Sequence, residues 1–95
     1  MPKKEDFEEL YNTIVSIKNA EDCEAFFDDL CTYKEVEQFT QRLKAAKLLL
    51  QGKTYEQVIQ ETEISSATLS RVSRCVKRGK GYNKIIKIKK EKKKK

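Results

Sequence analysis

The residues best suited to chemistry form a run over positions 65–77, where small hydroxyl side chains alternate with arginine and lysine. Small side chains let a helix approach a groove closely, and hydroxyls can hydrogen-bond to base edges or phosphates. Arginine and lysine add the positive charge that phosphates attract. This pattern indicates contact with double-stranded DNA. The residues predicted to make it are Thr54, Ser65, Ser66, Ala67, Thr68, Ser70, Arg71, Arg74 and Lys77.

Charge is unevenly distributed along the 95-residue chain, whose formal net charge is +6. Residues 1–41 carry 4 basic and 11 acidic side chains, net −7, whereas residues 42–95 carry 17 and 4, net +13. Such asymmetry is typical of a chain whose basic half faces a polyanion. Residues 89–95, KKEKKKK, are predicted to form a disordered Lys-rich tail, and an ordinary solvated tail is an equally good interpretation of its charge.

Composition disfavours several classes of protein. The chain has no histidine, and Cys23, Cys31 and Cys75 form no CxxC pair, so we expect buried thiols and no metal site. There is no Gly-rich phosphate loop and no nucleophile beside a base, so we do not expect an enzyme. The longest apolar run is three leucines and the first residues are charged, so we expect no membrane segment and a cytoplasmic protein.

Apolar spacing predicts an all-α fold of about six short helices, which must position the basic run. The first two should span about 5–18 and 20–31, the second capped by Asn19. A capping box of Thr32 and Glu35 begins the third, which should end near Gln51 with Gly52 in the left-handed position. Its predicted inner face consists of Val36, Phe39, Leu43, Ala46 and Leu50.

The basic run lies on the second of two short helices joined by a tight turn, a helix-turn-helix pattern at about 54–77. Thr54 and Ser65 are the predicted caps. The turn position that often holds glycine, because it takes a positive φ, is Glu63, so either the turn adapts or a cost of about 1 kcal/mol is tolerated. The predicted inner faces are Tyr55, Val58 and Ile59, then Leu69, Val72 and Val76. The second helix would enter the major groove, although a helical pair with a merely solvated polar face gives the same pattern.

The stretch from Thr32 to Val76 resembles the tryptophan repressor superfamily, and most closely its TrpR-related YerC/YecD branch. The strings that carry the resemblance are LCTYKEVEQFTQRLKAAKLLLQGKTYEQVIQET and SSATLSRVSRCVKRGKGY. The resemblance implies an intertwined homodimer whose core comes from residues 5–31 and a final helix near 82–90. The apolar side of that helix would comprise Tyr82, Ile85, Ile86 and Ile88. We therefore expect one domain over 1–88, followed by the tail.

The resemblance also implies a site for an amino-acid corepressor between Arg42 and Arg71. Guanidinium groups can stack on a ring and hold a carboxylate. Val72 and Cys75 depart from the family pattern, because valine is larger and a thiol is a poorer hydrogen-bond partner than a hydroxyl. The alternative is that Arg42 pairs with a nearby acid and Arg71 contacts phosphate. We favour this alternative and expect no cofactor.

Two hypotheses for function follow. The first is a sequence-specific DNA-binding transcriptional regulator, a repressor, that acts as a homodimer through the helix-turn-helix. The second is a nonspecific nucleic-acid-binding or protein-interaction module, in which the helix pair is a scaffold and the tail binds any polyanion.

Overall fold

The computed structural model describes residues 1–86, and these form six α-helices without a β-strand. The helices are α1 (Lys4–Val15), α2 (Ala20–Leu30), α3 (Tyr33–Leu50), α4 (Tyr55–Thr62), α5 (Ser66–Arg78) and α6 (Gly81–Ile85). The prediction of an all-α fold with about six helices is confirmed. The predicted tail at 89–95 and Ile88 lie outside the described residues. None of the six helices is long and apolar enough to cross a membrane.

The chain divides into two compact units, of which the first is Met1–Val36. Its first helix ends at Val15, three residues earlier than predicted, and the hydroxyl of the C-cap residue Ser16 donates to the carbonyl of Thr13 at 2.7 Å. The Asn19 cap is confirmed, since its Oδ1 accepts the Asp22 N–H at 2.8 Å. No residue of this unit is buried. The exposed large apolar side chains of its two helices are Phe7, Tyr11, Val15 and Leu30.

The second unit begins at Glu37 and holds the hydrophobic core. The core residues come from α3, α4, the turn after α4 and α5: Ala45, Ala46, Leu48, Val58, Ile64, Leu69 and Val72. The predicted inner face of α3 is therefore only partly right, because Phe39 and Leu43 are 42% and 44% exposed. Two consecutive alanines and Leu48 form the core side of α3, and the side chains of Phe39 and Leu43 lie outside it.

The junction between α3 and α4 follows the sequence prediction. Gly52 has a φ of +95°, which a residue with a Cβ adopts only under strain. The N–H of Gly52 donates to the Leu49 carbonyl and that of Lys53 to the Leu48 carbonyl, each at 3.0 Å, which closes a Schellman motif. Thr54 and Gln57 then form the capping box that begins α4.

Helix α4 is buried along one narrow row. Val58 is fully buried, but Tyr55 and Ile59 are 44% and 36% exposed, so their assignment to the inner face is wrong. An eight-residue helix offers few positions to a core, and here Val58 and Thr62, one turn apart, occupy them. The three cysteines are likewise only partly buried, contrary to expectation.

Candidate nucleic-acid interface

The turn between α4 and α5 is fixed by hydrogen bonds. Glu63 adopts φ 60° and ψ 22°, the left-handed conformation predicted for this position. The Thr62 hydroxyl donates to the carbonyl of Val58 at 2.8 Å and accepts the N–H of Ile64 at 3.2 Å. The Gln41 side chain donates to the Thr62 carbonyl at 3.4 Å. The sequence analysis did not identify Thr62 and Gln41 as residues that hold the turn. For Thr62 there was a signal, because a hydroxyl residue lies directly before the left-handed position.

The start of α5 uses two of the predicted DNA-contacting residues for its own structure. The Ser65 hydroxyl oxygen accepts the Thr68 N–H at 3.2 Å, and the hydroxyl donates to the Thr68 Oγ1 at 2.9 Å. Thr68 is only partly exposed. The predicted Ser65 cap is confirmed, and Thr68 is its hydrogen-bond partner.

The other predicted residues of α5 share one surface, which we call the outer face of α5. Its exposed residues are Ser66, Ala67, Ser70, Arg71, Arg74 and Lys77. Beneath them Leu69 and Val72 are buried, while Val76 is partly buried against the core. Thr54 is also exposed, at the start of α4. In residues 1–86 the single ion pair joins Lys4 to Glu8 at 4.0 Å, so the cations of the outer face carry unneutralised charge.

An apolar cavity of about 520 Å³ lies on one flank of α5. Arg71 and Cys75, one helical turn apart, line it from α5, and Arg42 and Leu43 line it from α3. Five residues of 79–86 line it from the C-terminal side of α5: Gly79, Gly81, Tyr82, Ile85 and Ile86. The structure therefore brings the two predicted arginines to one cavity.

Arg42 is partly buried, and its Nε is fully buried without a hydrogen-bond partner. It forms no ion pair with any acid in the described part of the chain, so the expected pairing with a nearby acid is absent there. A buried donor without a partner costs free energy. The cavity has the composition of a small-molecule site, apolar with two cations.

Helix α6 is attached to the end of α5 by a side chain that the sequence analysis did not single out. The Asn83 amide donates to the Val76 carbonyl at 2.7 Å and to the Gly79 carbonyl at 3.4 Å. A Cβ at position 79 would lie 2.7 Å from the Cys75 carbonyl oxygen, so the close approach requires glycine.

Comparisons with known proteins agree with the helical fold described above. Residues 5–90 match the model of the Trp repressor protein family. The chain is 46% identical over 74 residues to the uncharacterized protein YerC of Bacillus subtilis, covering 78% of this chain and 71% of YerC. A candidate Trp repressor from Staphylococcus aureus is 42% identical with a TM-score of 0.83, covering 87% of this chain and 84% of that one.

A TrpR-like protein from Eubacterium eligens is 36% identical with a TM-score of 0.82, and 87% of each chain is covered. The family match extends over nearly all the described helices, including α4 and α5. The resemblance that the sequence suggested is therefore confirmed. The chain belongs to the Trp repressor family.

Proposed function

We propose that the chain is a homodimeric, sequence-specific DNA-binding regulator that represses transcription through α4 and α5. The observation that carries the proposal is the outer face of α5, which is exposed along the helix while Leu69 and Val72 hold the opposite side in the core. Its first half is small and polar, as close approach to base edges requires, and its second half is basic, as phosphates require. Family membership supports a DNA-binding regulator.

The dimer is supported by the apolar surface that one chain leaves uncovered. No residue of Met1–Val36 is buried, and Phe7, Tyr11 and Val15 are 46%, 58% and 79% exposed. A chain of this length has little core of its own, and a second copy would bury these faces. Two α5 helices related by a two-fold axis would lie about 34 Å apart, which requires a palindromic operator. Sedimentation equilibrium tests this, and a monomer at micromolar concentration would reject it.

Selection from random duplex DNA, followed by gel-shift titration, tests sequence specificity. The selected palindrome should bind at least about 10³-fold more tightly than random duplex at the same salt concentration. Ser70→Ala should reduce that preference and leave thermal stability unchanged, because Ser70 is exposed. Thr68→Ala is less informative, since it also removes the partner of the Ser65 cap. Equal affinity for every duplex would reject the proposal and favour the nonspecific module.

Deletion of residues 89–95 separates the tail from the helix-turn-helix. Residues 42–86 still carry 10 basic and 3 acidic side chains, net +7, so binding should weaken without losing its preference for the palindrome. Loss of all binding together with the tail would favour the second hypothesis, in which the tail binds any polyanion.

We also propose that the apolar cavity binds a small effector with an apolar body and a carboxylate, an amino acid in the simplest case. The two arginines that line this apolar cavity, Arg42 and Arg71, favour this. Thermal-shift measurements with the twenty amino acids and indole-3-propionate test it, and a ligand at 100 times its Kd should stabilise the protein by about 2.7 kcal/mol. The shift should vanish in Arg42→Leu. No shift with any of these ligands would reject an effector of this class.

A further inference from the structure

The side chain of Gln41 joins helix α3 to the turn of the helix-turn-helix. Gln41 is partly buried, and its Nε2 donates to the Thr62 carbonyl at 3.4 Å. Thr62 is the last residue of α4, where carbonyls lack a partner further along the helix. The hydroxyl of the same residue fixes the turn, because it bonds to Val58 and to Ile64. Helix α3 therefore holds a turn that is already rigid.

This bond and the covalent connection between α3 and α4 lie at opposite ends of α4. Residues 51–54 connect the two helices. Gln41 lies nine residues before the end of α3 at Leu50, about 14 Å along the helix axis. Thr62 lies seven residues after the start of α4 at Tyr55, about 10 Å along its axis. The connection holds α4 to α3 at one end and the hydrogen bond holds it at the other, so together they fix the angle between the helices.

The side chains that α3 contributes to the core restrict this angle less. Ala45 and Ala46 are fully buried, and each presents a single methyl group to the neighbouring helices. Small side chains form low ridges, which interlock with the grooves of a neighbouring helix less than large side chains do. A directional hydrogen bond from Gln41 therefore adds a constraint that this packing supplies only in part.

We propose that Gln41 is a positioning residue that sets the distance between the two α5 helices of the dimer, and with it the half-site spacing of the operator. The inference rests on the proposed function. Phe39 and Leu43, which flank Gln41 in α3, are 42% and 44% exposed, so α3 offers apolar surface to a second copy of the chain. With α3 held in the dimer, its angle to α4 decides where each α5 meets the DNA. The half-site spacing of a two-fold dimer follows from that distance.

Operators that differ only in half-site spacing test this role. One base pair inserted at the centre of the selected palindrome, or removed from it, moves the half-sites by about 3.4 Å and turns them by about 36°. The unaltered protein should bind both altered operators more weakly than the original one. In Gln41→Met, which keeps the size of the side chain but removes its donor, this penalty should be about fivefold smaller. Fivefold is the factor for one hydrogen bond, and the bond can resist a change of angle only up to its own free energy.

The ratio of affinities for the different spacings separates positioning from a loss of stability. A less stable protein would bind every duplex more weakly by the same factor, which leaves the ratio unchanged. Gln38→Met is the matched control, at an exposed glutamine of the same helix, and should keep the full penalty. Gln41→Glu also lacks the donor and should reduce the penalty as Gln41→Met does, compared with Gln38→Glu. Gln41→Met should leave the salt dependence of binding to random duplex unchanged, because it alters no charge.

The outcomes distinguish the inference from the proposed function. If the unaltered protein prefers no palindrome, the proposed function fails and the role of Gln41 fails with it. If the protein prefers a palindrome but tolerates all three spacings equally, the inference alone is wrong, since no spacing is set. It is also wrong if one spacing is preferred and both Gln41 variants keep the penalty of their Gln38 controls. A smaller penalty in both Gln41 variants, with the full penalty in both controls, is the expected result.

Discussion

Replacing Thr62 by valine should destabilise the helix-turn-helix more than its small change in shape suggests. The Thr62 hydroxyl is the acceptor for the N–H of Ile64, a residue that is 3% exposed, at an N···O distance of 3.2 Å. Valine fills nearly the same volume but leaves that buried N–H without a partner. An unsatisfied buried donor costs about 1–3 kcal/mol, and we expect the free energy of unfolding to fall by that amount.

Thr62→Ser is the matched control, because it retains the hydroxyl and removes only one methyl group. It should cost about 1 kcal/mol or less, the value of a partly buried methyl. Urea denaturation followed by circular dichroism measures both variants, at one protein concentration because oligomer stability depends on it. Equal losses in the two variants would refute the reasoning, since packing would then outweigh the hydrogen bond. So would a valine variant as stable as the original chain.

Four further substitutions, of which Gly81→Ala is a control, test the turn and the junction between α5 and α6. Glu63→Gly should raise the free energy of unfolding by about 0.5–1 kcal/mol in urea denaturation. Glycine adopts the left-handed conformation without strain, and its greater freedom in the unfolded chain offsets part of that gain. A lower free energy of unfolding would contradict the φ of 60°. Gly79→Ala should lower the melting temperature, since its Cβ would meet the Cys75 carbonyl oxygen at 2.7 Å, while Gly81→Ala, with nothing within 4 Å, should not. Asn83→Ala should remove about 1 kcal/mol from the protection of α6 amides in hydrogen exchange, and unchanged protection would show that its 2.7 Å bond does not hold α6.

Local signals in the sequence predicted the starts of α2, α4 and α5 and the ends of α3 and α4. Asn19, Thr54 and Ser65 each accept a backbone N–H three residues on, as capping requires, and Gly52 and Glu63 both have positive φ. These features depend on a few neighbouring residues, so one sequence contains what is needed to predict them.

Burial was predicted less well because it depends on packing between helices. The spacing of Phe39 and Leu43 correctly indicates an apolar stripe, but it cannot tell whether the same chain covers that stripe. The assignment of Tyr55 and Ile59 to the inner face of α4 fails for the same reason, because spacing identifies apolar positions but not the residues that cover them.

The candidate site shows the same division. The exposed outer face of α5 follows from helical periodicity, whereas the Nε of Arg42 becomes informative only when the absence of a partner is visible in three dimensions.

Because ion pairs are scarce in residues 1–86, salt should affect the stability of the fold and the attraction to a polyanion differently. The pair of Lys4 and Glu8, whose side chains are 86% and 58% exposed, is the only one in residues 1–86 and contributes little to stability. Added salt screens electrostatic interactions, and the folded chain has almost no attractive ion pair that it could weaken. Salt also reduces the repulsion among the cations of residues 42–86. The same salt weakens attraction to a polyanion. Ionic strength can therefore set how fully the protein occupies DNA across a range in which the fold itself remains intact.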